Sequence, residues 1–145
     1  MPRKPYKQGI FKPINEKKYK GTHPIIYRSG LELSFMRWAD NNSSILEWGS
    51  ESVIIPYVKP NLQGKDKIHR YYVDFNATLQ TKQGIKKYLI EVKPFKQTQP
   101  PKHRGKNVVY ESVQWAVNNA KWNAAQKWCE SNGYKFLILT EKDLK

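Results

Sequence analysis

Residues 72–93 read YVDFNATLQTKQGIKKYLIEVK, which is two runs of strand-forming residues separated by a turn signal. The turn lies within TKQG at 81–84, the one clear break between the runs. An antiparallel hairpin centred on this turn sets Asp74 directly opposite Glu91. Directly opposed side chains in such a pair lie about 5 Å apart. The stretch therefore predicts two neighbouring strands that hold a pair of facing carboxylates.

A lysine accompanies the two carboxylates, because Lys93 lies two residues beyond Glu91 and points from the same strand face. Two carboxylates this close repel each other unless a cation lies between them. Mg²⁺ prefers carboxylate oxygens, and a nearby lysine stabilises the charge that develops on a phosphoryl group. The pattern predicts metal-assisted phosphodiester cleavage, with Asp74 and Glu91 as ligands, the Val92 carbonyl completing the shell, and an orienting, electrostatic role for Lys93. The alternative is an ordinary cross-strand ion pair on a solvated face.

The charge balance indicates the partner. The chain has 145 residues, with 26 Lys and Arg against 12 Asp and Glu, a formal net charge of +14. Such an excess favours a polyanionic partner, nucleic acid first and an anionic membrane second, although it could serve solubility alone. The single cysteine, Cys129, excludes an internal disulfide and suits a reducing compartment. With no membrane-spanning apolar stretch and no secretory signal, we predict a soluble intracellular protein.

The chain divides into a basic arm, residues 1–20, and a single domain, residues 21–145. The arm carries seven lysines and arginines against Glu16 alone, and three prolines interrupt any regular element. It is predicted to be extended. It would either follow a phosphate backbone or form a disordered tail or a strap packed on the domain.

The remaining elements define the fold class. Ser29 and Glu32 form a capping box that begins a helix ending at Asn41. Strands are predicted over 45–57, 70–80, 85–93 and 135–140, and a long helix over 108–132. The order α-β-β-β-α-β predicts an α/β or α+β domain with a mixed central sheet flanked by helices. Because the last strand follows a helical crossover, we expect it to run parallel to the strand before it.

Five sequence blocks occur in a familiar order. They are Tyr27-Arg28-Ser29-x-x-Glu32, Leu46-Glu47-Trp48, Val53-Ile54-Ile55-Pro56-Tyr57, His69-Arg70-Tyr71-x-x-Asp74-Phe75 and Leu89-Ile90-Glu91-Val92-Lys93-Pro94. With these blocks the chain resembles the PD-(D/E)xK nuclease superfamily, in its TnsA-like endonuclease branch. It resembles more closely still the head completion nucleases of T-even-like tailed phages. One departure is Val73, which stands where the motif usually has proline.

The resemblance implies a restriction-endonuclease-like core and a set of site residues. Glu32, Asp74, Glu91 and Lys93 would be catalytic, with Asp74, Glu91 and Glu32 as metal ligands. The cofactor would be Mg²⁺, with Mn²⁺ as an alternative. The implied role is that of a DNA endonuclease which trims or processes packaged DNA ends in phage head completion, before tail attachment. It would act in the virion and host cytoplasm, with portal or head proteins as partners.

Basic residues around this site are predicted to contact DNA. They are Arg28, Arg70, Lys96, Lys102, Arg104 and Lys106. Two other functions remain open. One is a structural DNA-binding virion protein with a vestigial nuclease site, although four intact site residues favour the enzyme. The other is a junction-resolving or transposase-type endonuclease, which would require a homodimer or a transposase partner.

Overall fold

A four-stranded mixed sheet with one helix on each face forms the centre of the computed structural model, which describes residues 8–102 and 105–144. The helices are α1 (Gly30–Asn41) and α2 (Val108–Asn132). The strands are β1 (Gly9–Phe11), β2 (Ile25–Tyr27), β3 (Ile45–Ser50), β4 (Ile54–Lys59), β5 (Lys67–Tyr72), β6 (Phe75–Thr81), β7 (Gly84–Val92) and β8 (Tyr134–Leu139). Short 3₁₀ turns occupy Glu16–Lys18 and Phe95–Thr98.

The strand order β3-β6-β7-β8 confirms the predicted fold class. The first two neighbouring pairs are antiparallel and β8 runs parallel to β7, as expected for a strand that follows a helical crossover. The two helices and the four strands of the sheet follow one another along the chain in the predicted order α-β-β-β-α-β. Two short pairs of strands, β1–β2 and β4–β5, are additional. Of the helices in the described part of the chain, none has the length and apolar character needed to cross a membrane.

Two hydrophobic cores lie on opposite faces of the sheet. Phe35 of α1 packs in the first core with Trp48 and Phe75, and its ring is stacked on Phe75 with centroids 4.2 Å apart. The second core joins α2 to the other face and contains Cys129, which is fully buried. Burial raises the pKa of Cys129 to about 11, so this cysteine is a structural thiol.

The β6–β7 hairpin has the register predicted from its turn. Phe75 pairs with Ile90, and the connection is the two residues 82–83. One step further along the same register lies Asp74, opposite Glu91. The length of the turn thus determines that Asp74 and Glu91 lie opposite each other.

The single strands predicted over 45–57 and 70–80 are wrong, because each is interrupted. β4 and β5 leave the sheet and pair with each other as a separate two-stranded ribbon. The first interruption falls at Glu51, whose φ of 53° turns the chain out of the sheet. Pro56 is tolerated in β4 because each strand of a two-stranded ribbon has a free edge.

The described part of the basic arm is a strap packed against the domain. We call residues 9–20 the N-terminal strap. Its strand β1 pairs with β2, and the buried ring of Tyr19 meets Trp48 edge to face with centroids 4.8 Å apart. Residues 1–7 lie outside the described residues, so the phosphate contacts expected there remain a prediction.

Hydrogen bonds to the C-terminal end of α1 fix this strap. The ammonium of Lys18 donates to the carbonyl oxygens of Ala39, Asp40 and Asn42 at 2.6, 3.0 and 2.7 Å. The buried carboxylate of Asp40 accepts the backbone N–H groups of Ile14 and Asn15 at 2.8 and 2.9 Å. The last carbonyls of a helix have no partner within it, so the strap also caps α1.

Gly133 follows Asn132 and ends α2 in the left-handed conformation, with a φ of 75°. Gly133→Ala is expected to lower the free energy of unfolding by about 1 kcal/mol, because an L side chain is strained there. Gly30→Ala, at the first position of α1 with open space around it, is the matched control and should be neutral or stabilising. Urea denaturation measures both, and equal effects would contradict the backbone argument.

Candidate active site

The carboxylate pair is built by the β6–β7 hairpin. Asp74 precedes β6 and its Oδ2 accepts the backbone N–H of Val92 at 2.8 Å, which fixes the side chain beside β7. Glu91 lies on β7 and is only 3% exposed. Glu91 therefore lies in the interior, on the face of the sheet that α2 covers, and Asp74 beside it is partly exposed.

The two carboxylates repel each other strongly. Burial and the charge of the neighbouring Glu91 raise the pKa of Asp74 well above its ordinary value. Within residues 8–102 and 105–144 neither carboxylate is ion-paired with a lysine or arginine. Buried like charges are stable only when a proton or a cation lies between them. The pair therefore requires either a shared proton or a bound cation.

Glu32 stands at the start of α1 in the predicted capping box. The Ser29 hydroxyl accepts the Glu32 N–H at 3.1 Å, and Glu32 Oε1 accepts the Arg28 N–H at 3.3 Å. Burial raises the pKa of Glu32, and its charge contributes to raising that of Asp74. Glu32 does not close a preformed cage, since the described chain gathers no three His, Cys, Asp or Glu side chains in ligand positions.

Glu51 links Arg28, which precedes α1, to the backbone of Asp74, a role that the sequence did not suggest. Its carboxylate forms an ion pair with Arg28, one of the predicted DNA contacts. Its backbone N–H donates to the carbonyl of Asp74 at 3.0 Å. A left-handed φ at a residue other than glycine is costly and is found often at functional sites. Glu51 therefore holds the backbone that carries Asp74.

Two aromatic side chains close the site from the side of α2 and the ribbon. Trp122 Nε1 donates to Glu91 Oε2 at 3.2 Å. The Tyr71 hydroxyl is buried and has no hydrogen-bond partner in the described structure. Burial and the charges of Glu91 and Asp74 raise the pKa of Tyr71, so it remains a donor. Two carboxylates beside an unpartnered hydroxyl form an oxygen-rich set that fits a hard divalent cation.

Lys93 and Lys121 are two positively charged residues near the pair of Asp74 and Glu91. Lys93 is half-buried at the end of β7, and its backbone N–H donates to Leu139 at 3.0 Å. The ammonium of Lys121, on α2, lies 5.5 Å from the centroid of the Tyr71 ring. The sequence does contain a signal for Lys121. This lysine lies on the buried face of α2, four residues from Val117 and four from Ala125.

The predicted DNA-binding residues are spread around the site rather than gathered in it. Lys96, Lys102 and Lys106 are exposed on the segment between β7 and α2. Arg70 is exposed on the outer face of the ribbon. Arg104 lies outside the described residues. The structure thus brings Asp74 and Glu91 together and leaves the basic residues on the surrounding surface.

Known proteins are similar in sequence to this chain. The family model described as TnsA-like endonuclease N terminal matches residues 42–141, which include the whole four-stranded sheet. The head completion nuclease of Enterobacteria phage T4 is 40% identical over 148 residues, which cover 94% of this chain and 93% of the relative. Both agree with the resemblance drawn from the five sequence blocks. The chain belongs to the TnsA-like endonuclease family of nucleases.

Proposed function

We propose that this protein is a Mg²⁺-dependent endonuclease that hydrolyses phosphodiester bonds of DNA in phage head completion. The observation that carries the proposal is the pair of Asp74 and the buried Glu91, two neighbouring carboxylates with no cation of the described chain paired to them. The net charge of +14 supports DNA as the substrate.

The metal ligands in this proposal are Asp74 and Glu91, with Glu32 as a third carboxylate nearby. Mg²⁺, or Mn²⁺ in its place, would supply Lewis acidity and lower the pKa of a bound water. The chain's own contribution is to orient the ligands. The Val92 and Trp122 N–H groups each bind one oxygen of a carboxylate, Asp74 Oδ2 and Glu91 Oε2, so each carboxylate keeps a second oxygen for a ligand.

Lys93 provides positive charge on the same strand as Glu91. Its ammonium would orient the attacking water and stabilise the charge that develops on the phosphoryl oxygens. A role as general base is less favoured, because neighbouring carboxylates stabilise the charged form of a lysine. The exposed Lys96, Lys102 and Lys106 would hold the flanking DNA through its phosphates.

The biological step is proposed from the relative's name. That protein is called a head completion nuclease, and the alignment covers nearly all of both chains. Trimming or processing of packaged DNA ends before tail attachment would suit an enzyme with metal-dependent cleavage and basic surfaces. It would work in the virion and host cytoplasm, with portal or head proteins as partners.

The test is cleavage of linear, supercoiled and branched DNA in Mg²⁺, Mn²⁺ or EDTA. Lys93→Ala is expected to lower the cleavage rate by about 10²- to 10³-fold, since it removes a charge aimed at the transition state. DNA affinity should change little. Lys82→Ala, exposed at the hairpin turn, is the matched control and should cleave normally.

A wild-type protein that binds DNA but cleaves none of these substrates with any metal would overturn the proposal. The structural DNA-binding role would then be preferred. Selective cleavage of branched DNA by a dimer would favour the junction-resolving alternative.

A further inference from the structure

We propose that Lys121 binds a backbone phosphate of DNA beside the carboxylate pair. The inference rests on the proposed function, because the strand that this site would hold is the strand that is cut. Neither the family match nor the relative's name says anything about Lys121.

The position of Lys121 on α2 is the first argument. It lies four residues after Val117 and four before Ala125, and both of these are buried against the sheet. Residues spaced by four share a helix face, so Lys121 points into the domain. Lysine at such a position is costly unless its ammonium has a use, because burial opposes the charged form.

Aromatic rings direct the ammonium toward the site. Lys121 Nζ lies 5.5 Å from the centroid of the Tyr71 ring and 5.9 Å from that of Tyr57. Both rings belong to the inner face of the ribbon, and the Tyr71 hydroxyl adjoins the carboxylate pair. Cation–π contacts stabilise a partly desolvated lysine without neutralising it. The ammonium therefore keeps its charge available to another group.

Charges of both signs act on Lys121. Burial, together with the charges of Lys93 and Lys59, lowers the pKa of Lys121, whereas Glu91 and Asp74 raise it. A lysine that served only as a counter-ion would form an ion pair with Glu91, yet within the described residues Lys121 has none. Within the described residues, the ammonium of Lys121 therefore lies over the two tyrosine rings without an ion-pair partner.

A phosphate is the anion that suits Lys121. Lysine ammonium groups bind phosphate oxygens through charge-assisted hydrogen bonds. In a nuclease, a backbone phosphate must lie next to the metal ligands. Lys121 approaches this point from α2, with its ammonium over the tyrosine rings of the ribbon. The strand would therefore pass between the end of the sheet and the ribbon, across Asp74 and Glu91.

The deciding measurement is DNA affinity in EDTA over a series of salt concentrations. Lys121→Gln is expected to reduce the slope of log affinity against log salt by about 0.9 for duplex DNA, since it removes one phosphate contact. Lys121→Arg should keep the slope. The matched control is Lys127→Gln, an exposed lysine of the same helix, which should bind as the wild type does.

Lys121→Met separates charge from packing, because methionine retains an apolar stem against the tyrosine rings. It should melt near the wild-type temperature and show the same reduced slope as Lys121→Gln. In a single-turnover assay with Mg²⁺, both variants should cleave about 10- to 100-fold more slowly. An unchanged slope in folded Lys121→Gln and Lys121→Met would overturn the phosphate site. Since the slope needs no metal, it decides this inference even if the wild type cleaves nothing.

Discussion

Asp74→Asn is expected to abolish cleavage while the protein still folds and binds DNA. The amide keeps the shape of the side chain and can still accept the Val92 N–H. It removes one of the two negative charges that would hold the metal ion. We expect a loss of about a thousandfold in single-turnover rate, equivalent to about 4 kcal/mol of transition-state stabilisation.

The matched control is Asp66→Asn, which removes an exposed carboxylate from the loop between β4 and β5. It should cleave at the wild-type rate. DNA affinity in EDTA should be equal or higher in Asp74→Asn, because one repulsive charge near the phosphates is gone. Retention of metal-dependent cleavage by this variant would show that the chemistry takes place elsewhere on the protein.

The same substitution should change the pH dependence of stability. The pKa of Asp74 is raised in the folded state, so there it keeps a proton that the unfolded chain loses near the ordinary value of 3.8. In EDTA, the free energy of unfolding of the wild type should therefore fall as pH rises through the folded-state pKa. Asp74→Asn has no ionisable group at this position, so it does not lose this stability as pH rises. It should be the more stable protein at pH 7, as measured by urea denaturation. Equal stabilities from pH 4 to 8 would contradict the carboxylate repulsion.

Asp40→Ala is expected to give the largest loss of stability, about 3 kcal/mol. Asp40 is 2% exposed and accepts the N–H groups of Ile14 and Asn15, and hydrogen bonds to a charged group contribute about 1.5 to 3 kcal/mol each. Both donors would be left without that partner. For a chain of this size the melting temperature should fall by about 10 °C.

Glu47→Ala is the control for this change, because Glu47 is an exposed acid on β3. Hydrogen exchange adds a local test, since the amides of Ile14 and Asn15 should lose protection in Asp40→Ala. A loss of stability below 1 kcal/mol would mean that the N-terminal strap contributes little to the fold.

Local signals explain what could be predicted. The long helix α2 follows from its apolar stripe and from Asn132-Gly133, which end it at the predicted residue. The hairpin register follows from turn length alone, and it places Asp74 opposite Glu91. These features depend on residues that are close together in the sequence, where spacing determines geometry.

The remaining features depend on contacts between distant segments. The runs around Glu51 and Asp74 are rich in strand formers on both sides, so their pattern does not show where the chain leaves the sheet for the ribbon. Trp122 meets Glu91 across 31 positions of sequence, and Lys18 reaches the end of α1 across more than 20. The sequence contains these residues but does not indicate their partners.

The turn at residues 82–83 is at the far end of the hairpin from Asp74, yet it restricts how the gene can change. Surface loops usually accept insertions, and the two turn residues are exposed. One residue added there and carried into the register would exchange the two faces of β7, turning Glu91 away from α2. Mutation can therefore vary the identity of Lys82 and Gln83 but not their number, and selection on the active site extends to the length of a loop remote from it.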